Sequence, residues 1–131
     1  MASNAPDDEV QAWVAKGSDD LLAANLIARG RGPSTVGCYL CQQAMEKLLK
    51  AMLVHLGQTV PRTHDLVDLH RRLGTDAGPF GLSAAELRGW TVYATAGRYP
   101  GFPDPQADAD LQRMAACATD LLAAVRVAVG M

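Results

Sequence analysis

The sequence predicts an all-α protein, an up-and-down bundle of four to five helices. Apolar residues recur at the three- and four-residue spacing of an amphipathic helix through most of the 131 residues. Hydrophobic residues make up 49 % of the chain, whereas aromatic residues make up only 5 %. Alanine and leucine dominate the apolar set, and this composition favours packed helices over sheets, which prefer β-branched and aromatic residues.

The first two helices are the longest predicted elements of the N-terminal half. The first runs roughly from Asp7 to Arg29, and one stripe of it is apolar: Val10, Trp13, Val14, Gly17, Leu21 and Ala24. A segment with two glycines and Pro33 separates it from the second helix, which runs roughly from Ser34 to Leu56. That helix is apolar over a wide arc and is therefore predicted to be central. Gly57 ends it.

Two shorter helices follow. Thr63 is predicted to cap the third, because its hydroxyl can accept from an exposed backbone N–H, and Gly74 ends that helix. Ser83 opens the fourth with a capping-box pattern, and this helix is predicted to close near residues 97–98.

The fifth helix follows a proline-rich segment that cannot be helical. Asp104 is predicted to be its cap and Pro105 its first residue. Its apolar stripe consists of Leu111, Met114, Ala115, Ala118, Leu121, Leu122 and Val125.

Length and charge set the class of protein. We expect one domain over residues 1–131, with flexible ends at about 1–6 and 127–131. A net charge of −2 lacks the overall basic character of nucleic-acid-binding chains, although a local basic patch is compatible with it. Neither a signal peptide nor a membrane span is visible. We therefore expect a cytoplasmic protein with no membrane partner.

The three cysteines are Cys38, Cys41 and Cys117. The first two have a C-x-x-C spacing, but neither a second ligand pair nor a redox-type fold pattern accompanies it. We predict small buried residues and no metal site.

Polar residues follow one face of the second helix. Gln43, Glu46, Lys47 and Lys50 share that face, and Glu46 and Lys50 form an i, i+4 pair in the favourable order. Such pairs add only about 0.2–0.5 kcal/mol to an exposed helix. Spacing alone leaves two interpretations, a solvated face or one wall of a binding site.

The segment before the third helix holds His64, with Arg62 and Thr63 before it and Asp65 after it. The positive end of a helix dipole disfavours an imidazolium, and a neutral imidazole there can accept, donate or act as a base. The alternative is a structural histidine that ties this loop to a neighbouring helix.

A third candidate is Arg98, followed by Tyr99 and Pro100. A guanidinium offers paired donors to a phosphate, and at the end of a helix it can also cap carbonyl groups. Both interpretations stay open.

Three segments in this order, "CYLCQQAMEKLLKAMLVHLG", "PRTHDL" and "YATAGRYPG", resemble the HEPN (higher eukaryotes and prokaryotes nucleotide-binding) domain family. The resemblance covers the chain from Trp13 through Val125. It implies a helical bundle, often a homodimer, that acts with a minimal nucleotidyltransferase as a toxin–antitoxin-like pair and binds a nucleotide or RNA. No cofactor other than a bound nucleotide such as ATP is implied.

The resemblance also suggests which side chains form the site. The nucleotide- or phosphate-binding candidates are Lys47, Lys50, Arg62, His64 and Arg98. The orienting candidates are Gln43, Glu46, Asp65 and Tyr99, and Tyr99 is also a candidate acceptor of a transferred nucleotide.

Two alternatives accompany this interpretation. Several branches of the family are metal-independent ribonucleases, in which an Arg precedes a His at a characteristic spacing. In this chain Arg62 is too close to His64, and too far from His70, to match that spacing. The missing spacing argues against an enzyme, but a ribonuclease toxin with His64 as base is the first alternative. A purely structural helical dimer is the second.

Overall fold

The structure is a computed structural model that describes residues 7–30, 32–74, 81–95, 99–102 and 105–131. These residues form the helices α1 (Asp8–Gly30), α2 (Ser34–His55), α3 (Leu66–Leu73), α4 (Ala84–Trp90) and α5 (Ala107–Val129). The predicted all-α bundle is confirmed. None of the helices in these segments is long and apolar enough to cross a membrane. The predicted flexible residues 1–6 lie outside the described residues, and α5 continues through Val129.

Helix α2 is the centre of the molecule, as its wide apolar arc predicts. Helices α1 and α5 both pack against it, and α3 also contacts it. Helix α1 is antiparallel to α2, because Gly17 of α1 faces Leu48 while Ile27 faces Gly37. Helix α5 begins beside the start of α2, where the Cys38 thiol donates to the Ala107 carbonyl at 3.4 Å.

Two glycines allow the long helices to approach closely. A Cβ on Gly37 would lie 2.7 Å from Leu111 Cδ1, well inside van der Waals contact. A Cβ on Gly17 would lie 3.1 Å from Leu48 Cγ. Gly37 is therefore required by the packing of α5 against α2 rather than by its own backbone conformation, which is helical.

The predicted cap of α3 is wrong. The carboxylate of Asp65, not the hydroxyl of Thr63, accepts from the first turn, at 2.9 Å from Val67 N and 3.3 Å from Asp68 N. Because α3 begins at Leu66, Asp65 is the residue whose side chain can reach the second and third N–H groups. The Thr63 hydroxyl instead accepts from the Asp65 N–H at 3.1 Å.

Helix α4 is shorter than predicted. Ser83 caps it as expected, but the α-helix ends at Trp90 and a 3₁₀ turn at Thr91–Ala94 follows. The turn places Tyr93 in the core, where its hydroxyl donates to Asp110 Oδ2 at 2.7 Å. The predicted end at residues 97–98 lies outside the described residues.

Helix α5 begins at Ala107 rather than at Pro105, and the predicted cap, Asp104, lies outside the described residues. Gln106 occupies the cap position without a side-chain hydrogen bond. Ala107 is buried and its carbonyl accepts from Cys38, so packing on α2 determines where this helix starts.

Candidate functional site

Three polar side chains of α2 are buried, one turn apart. Gln42, Glu46 and Lys50 are 0 %, 4 % and 6 % exposed. The interpretation of the polar face of this helix as solvated is therefore wrong for Glu46 and Lys50. Together with His64 they form one hydrogen-bonded group, which we call the polar cluster. Burial of two ionised groups requires that each be paired.

The carboxylate of Glu46 is the centre of the polar cluster. Its Oε2 lies 2.9 Å from Lys50 Nζ, and its Oε1 lies 2.8 Å from His64 Nδ1. An ionised carboxylate can only accept hydrogen bonds, so Nδ1 of His64 carries the proton in this contact. In the neutral ring the other nitrogen, Nε2, is then the unprotonated one.

Lys47 and Lys50, the two lysines of this face, each form an ion pair with a carboxylate of the protein. The Lys50 ammonium lies between Glu46 and the ring of Trp13, whose centroid is 5.6 Å from Nζ. The ammonium of Lys47 forms an ion pair with Asp20 of α1. A phosphate at either lysine would therefore compete with an internal carboxylate.

The loop that carries His64 is fixed at two points. The His64 carbonyl accepts from Gln42 Nε2 at 3.0 Å, and the Leu66 N–H donates to the Thr91 hydroxyl at 3.2 Å. The side chain of His64 is 65 % exposed, although its Nδ1 contacts buried Glu46. The structure thus combines an anchored backbone with a ring that solvent reaches.

The remaining predicted site residues are more scattered. Gln43 is half-buried and donates to the side-chain oxygen of Gln42 at 2.9 Å. Arg62 is exposed beside His64. The carboxylate of Asp65 caps α3, and its orienting role stays a prediction. Tyr99 is 71 % exposed, and Arg98 lies outside the described residues.

Three residues of the site were missed at the level of sequence. Gln42 precedes Glu46 by one turn, so the row of residues 42, 46 and 50 could have indicated it. Asp20 and Trp13 lie on α1 and reach the cluster only after α1 docks on α2. Periodicity assigned Trp13 to the apolar stripe and gave no signal for the cation that its ring contacts.

All three cysteines, Cys38, Cys41 and Cys117, are buried, as predicted. Burial raises the pKa of the Cys41 thiol to about 12, so it stays protonated and a poor nucleophile at neutral pH. Burial and the hydrogen bond to Asp110 likewise raise the pKa of the Tyr93 hydroxyl.

Comparison with known proteins identifies the family. The model of the HEPN domain matches residues 10–128. The fold is similar to TT1696 from Thermus thermophilus (TM-score 0.73, 23 % identity, 92 % of this chain and 98 % of that one). It is also similar to ST0689, an archaeal HEPN homologue (TM-score 0.69, 22 % identity, 92 % of this chain and 97 % of that one). No curated protein matches.

The match spans nearly all of the described helices, from within α1 into the last turn of α5. It supports a nucleotide-binding or ribonuclease-type module. The chain belongs to the HEPN domain family.

Proposed function

We propose that this protein is a nucleotide-binding module that acts with a minimal nucleotidyltransferase in a toxin–antitoxin-like pair. The observation that supports the binding site is the geometry of His64. Its ring is held by buried Glu46 at 2.8 Å, yet most of its surface is open to solvent. Such a group can contact a ligand without first being ordered, so less conformational entropy is lost on binding.

The charges around His64 favour an anionic ligand. Lys50 already pairs with Glu46, so a protonated His64 adds one unbalanced positive charge at the surface. The exposed guanidinium of Arg62 lies two residues before it along the loop. We assign the phosphate contacts to these two side chains, with Arg98 as a third. Lys47 and Lys50 contribute to the potential but stay paired with Asp20 and Glu46.

Thermal unfolding tests the binding site. A ligand at ten times its dissociation constant stabilises the native state by about 1.4 kcal/mol, which for a domain of this size raises Tm by about 4–6 °C. We expect millimolar ATP or GTP to produce this shift in the wild type, and His64→Ala to abolish it.

The matched control is His55→Ala, which removes an exposed histidine at the end of α2. It should retain the full shift. Equal shifts in both variants would contradict the assignment of His64, and the absence of any shift in the wild type would exclude ATP and GTP as ligands.

The partner is proposed from the same family relationship. Tyr99 is 71 % exposed, so its hydroxyl is accessible to the active site of a nucleotidyltransferase. In the transfer, the phenolic oxygen attacks the α-phosphorus of a nucleoside triphosphate, the phenolic proton passes to a base of the transferase, and pyrophosphate leaves. Co-expression with a minimal nucleotidyltransferase should add the mass of one nucleotidyl group, which is a nucleoside monophosphate less one water. Tyr99→Phe should remove that addition, and an unmodified wild type would refute it.

We also propose a homodimer. Leu22 and Leu26, one turn apart on α1, are 59 % and 60 % exposed and form an apolar ridge that a second copy could cover. Light scattering after size exclusion measures this directly, and a monomer at micromolar concentration would contradict it.

A second candidate function is a metal-independent ribonuclease, and one observation favours it. The carboxylate of Glu46 holds the Nδ1–H of His64, which leaves Nε2 able to take a proton, as a general base must. Expression of the chain alone in a bacterial host should then degrade RNA, and His64→Ala but not His55→Ala should prevent this. Intact RNA in the wild type would leave the binding module as the function.

A further inference from the structure

We infer that Gln42 is a positioning residue: its buried side-chain amide holds the His64 backbone against α2, and thereby determines which ring nitrogen of His64 faces a ligand. The inference rests on the proposed function only in that it concerns the same site. It gives a role to Gln42, which lies in a segment that carries the family resemblance but was not among the predicted site residues.

The contacts of Gln42 determine the orientation of its amide. Its Nε2 lies 3.0 Å from the His64 carbonyl oxygen and 3.4 Å from Glu46 Oε1. Both of these oxygens can only accept, so the NH₂ group must face them and the amide oxygen must face away. That oxygen accepts from Gln43 Nε2 at 2.9 Å. A flipped amide would bring three oxygens together without a proton between them.

Burial makes these contacts strict. Gln42 is 0 % exposed, so water cannot replace a lost partner. The free-energy cost of leaving a buried donor or acceptor without a partner exceeds the net stabilisation that one hydrogen bond provides. The carbonyl of His64 is therefore held at one place relative to α2.

The position of the backbone controls the ring. Glu46 is one turn after Gln42 on the same helix, so the two side chains hold His64 at two points, the carbonyl and Nδ1. The side chain of His64 is 65 % exposed, and Glu46 holds its ring through Nδ1. Without the backbone contact, the loop would shift and the ring could leave the carboxylate.

This arrangement selects one tautomer of the neutral ring. Glu46 accepts from Nδ1–H, which leaves the lone pair of Nε2 on the solvent side. Among the described residues, Lys50 is paired with Glu46, and Arg62 and Asp65 are charged neighbours of His64 along the loop. A neutral His64 therefore accepts from an N–H or O–H group of a ligand, whereas a protonated ring donates to a phosphate oxygen.

Nuclear magnetic resonance of the free protein tests the inference. Long-range proton–nitrogen correlation of ¹⁵N-labelled protein distinguishes a protonated from an unprotonated ring nitrogen, and His64→Ala assigns the signals. The measurement is made at about pH 8.5, above the range in which histidines ordinarily titrate. In the wild type we expect a single His64 tautomer with the proton on Nδ1. In Gln42→Met we expect the two ring nitrogens to give averaged signals, because both tautomers are then populated.

The matched control is Gln58→Met. Gln58 also donates to a backbone carbonyl beyond α2, that of Arg72 at 3.4 Å, but it is exposed and lies outside the polar cluster. Its variant should keep the wild-type pattern. A wild type with the proton on Nε2 overturns the inference, and so does a Gln42→Met variant whose His64 signals are unchanged.

The wild-type spectrum alone can refute the inference, so the test does not depend on the folding of a variant. It also contains no nucleotide. If nucleotide does not bind but the tautomer results are as expected, the proposed function is rejected and the role of Gln42 stands. If nucleotide binds but the tautomer results differ from those expected, the role of Gln42 is rejected and the proposed function stands.

Discussion

Glu46→Ala should lower the free energy of unfolding by about 3–5 kcal/mol, because removal of one partner of a buried ion pair leaves the other charge uncompensated. The stranded group is the Lys50 ammonium, whose side chain is 8 % exposed. Gln42 and His64 would each lose a hydrogen bond as well. Urea denaturation at neutral pH measures this loss as a shift in midpoint with little change in slope.

A double-mutant cycle separates the ion pair from the loss of packing. Glu46→Ala combined with Lys50→Met removes both charges and should be less destabilised than the sum of the single variants by at least about 1 kcal/mol. Glu86→Ala serves as the exposed comparison, since Glu86 pairs with Arg113 at the surface, and its effect should be far smaller. Additive effects of the two cluster substitutions would show that Lys50 is not a buried partner of Glu46.

The second large effect is expected at the contact between α2 and α5. Leu111 is 2 % exposed and its methyl groups lie over Gly37. Leu111→Ala should therefore lower the free energy of unfolding by about 2–5 kcal/mol, through lost burial and the cavity that remains. Calorimetric or urea unfolding measures it.

Gly37→Ala provides the matching test of close packing. Alanine favours a helix over glycine by about 1 kcal/mol, but the new methyl group would lie 2.7 Å from Leu111 Cδ1. Overpacking of this kind destabilises by about 1–3 kcal/mol, so we expect a net loss. In the background of Leu111→Ala the two contacts with Leu111 are gone and the contact with Ile27 Cγ2 at 3.2 Å remains, so the same substitution should be much less destabilising. Equal destabilisation in both backgrounds would contradict this account of Gly37.

Local sequence signals predicted the helices well and their ends less well. Ser83, Gly57 and Gly74 act where capping rules place them, because the responsible groups lie within a few residues of each other. The cap of α3 and the start of α5 were misplaced. At α5 the deciding contact, between Cys38 and Ala107, joins residues far apart in the chain, and no local rule contains it.

The same distinction explains the site. The row of polar residues on α2 was visible in the sequence, but its burial was not, because burial depends on α1 and on the loop before α3. Helical spacing could therefore show that Glu46 and Lys50 lie together, but not that they lie inside the protein. The resemblance to a family favoured a site at His64 with Glu46 among the orienting residues, and the structure gives the contact between the two, 2.8 Å from Oε1 to Nδ1.

The two tethers of the His64 loop have a consequence for how the domain opens. One tether joins the loop to α2 through Gln42, and the other joins it to the end of α4 through Thr91. Because both anchors belong to packed helical segments, the loop cannot detach as an independent unit. The protected amides of the loop should therefore exchange through cooperative opening of the bundle rather than through local opening of the loop. A ligand on His64 would then be coupled to the whole bundle, and it would slow hydrogen exchange in the core as well as at the surface that it touches.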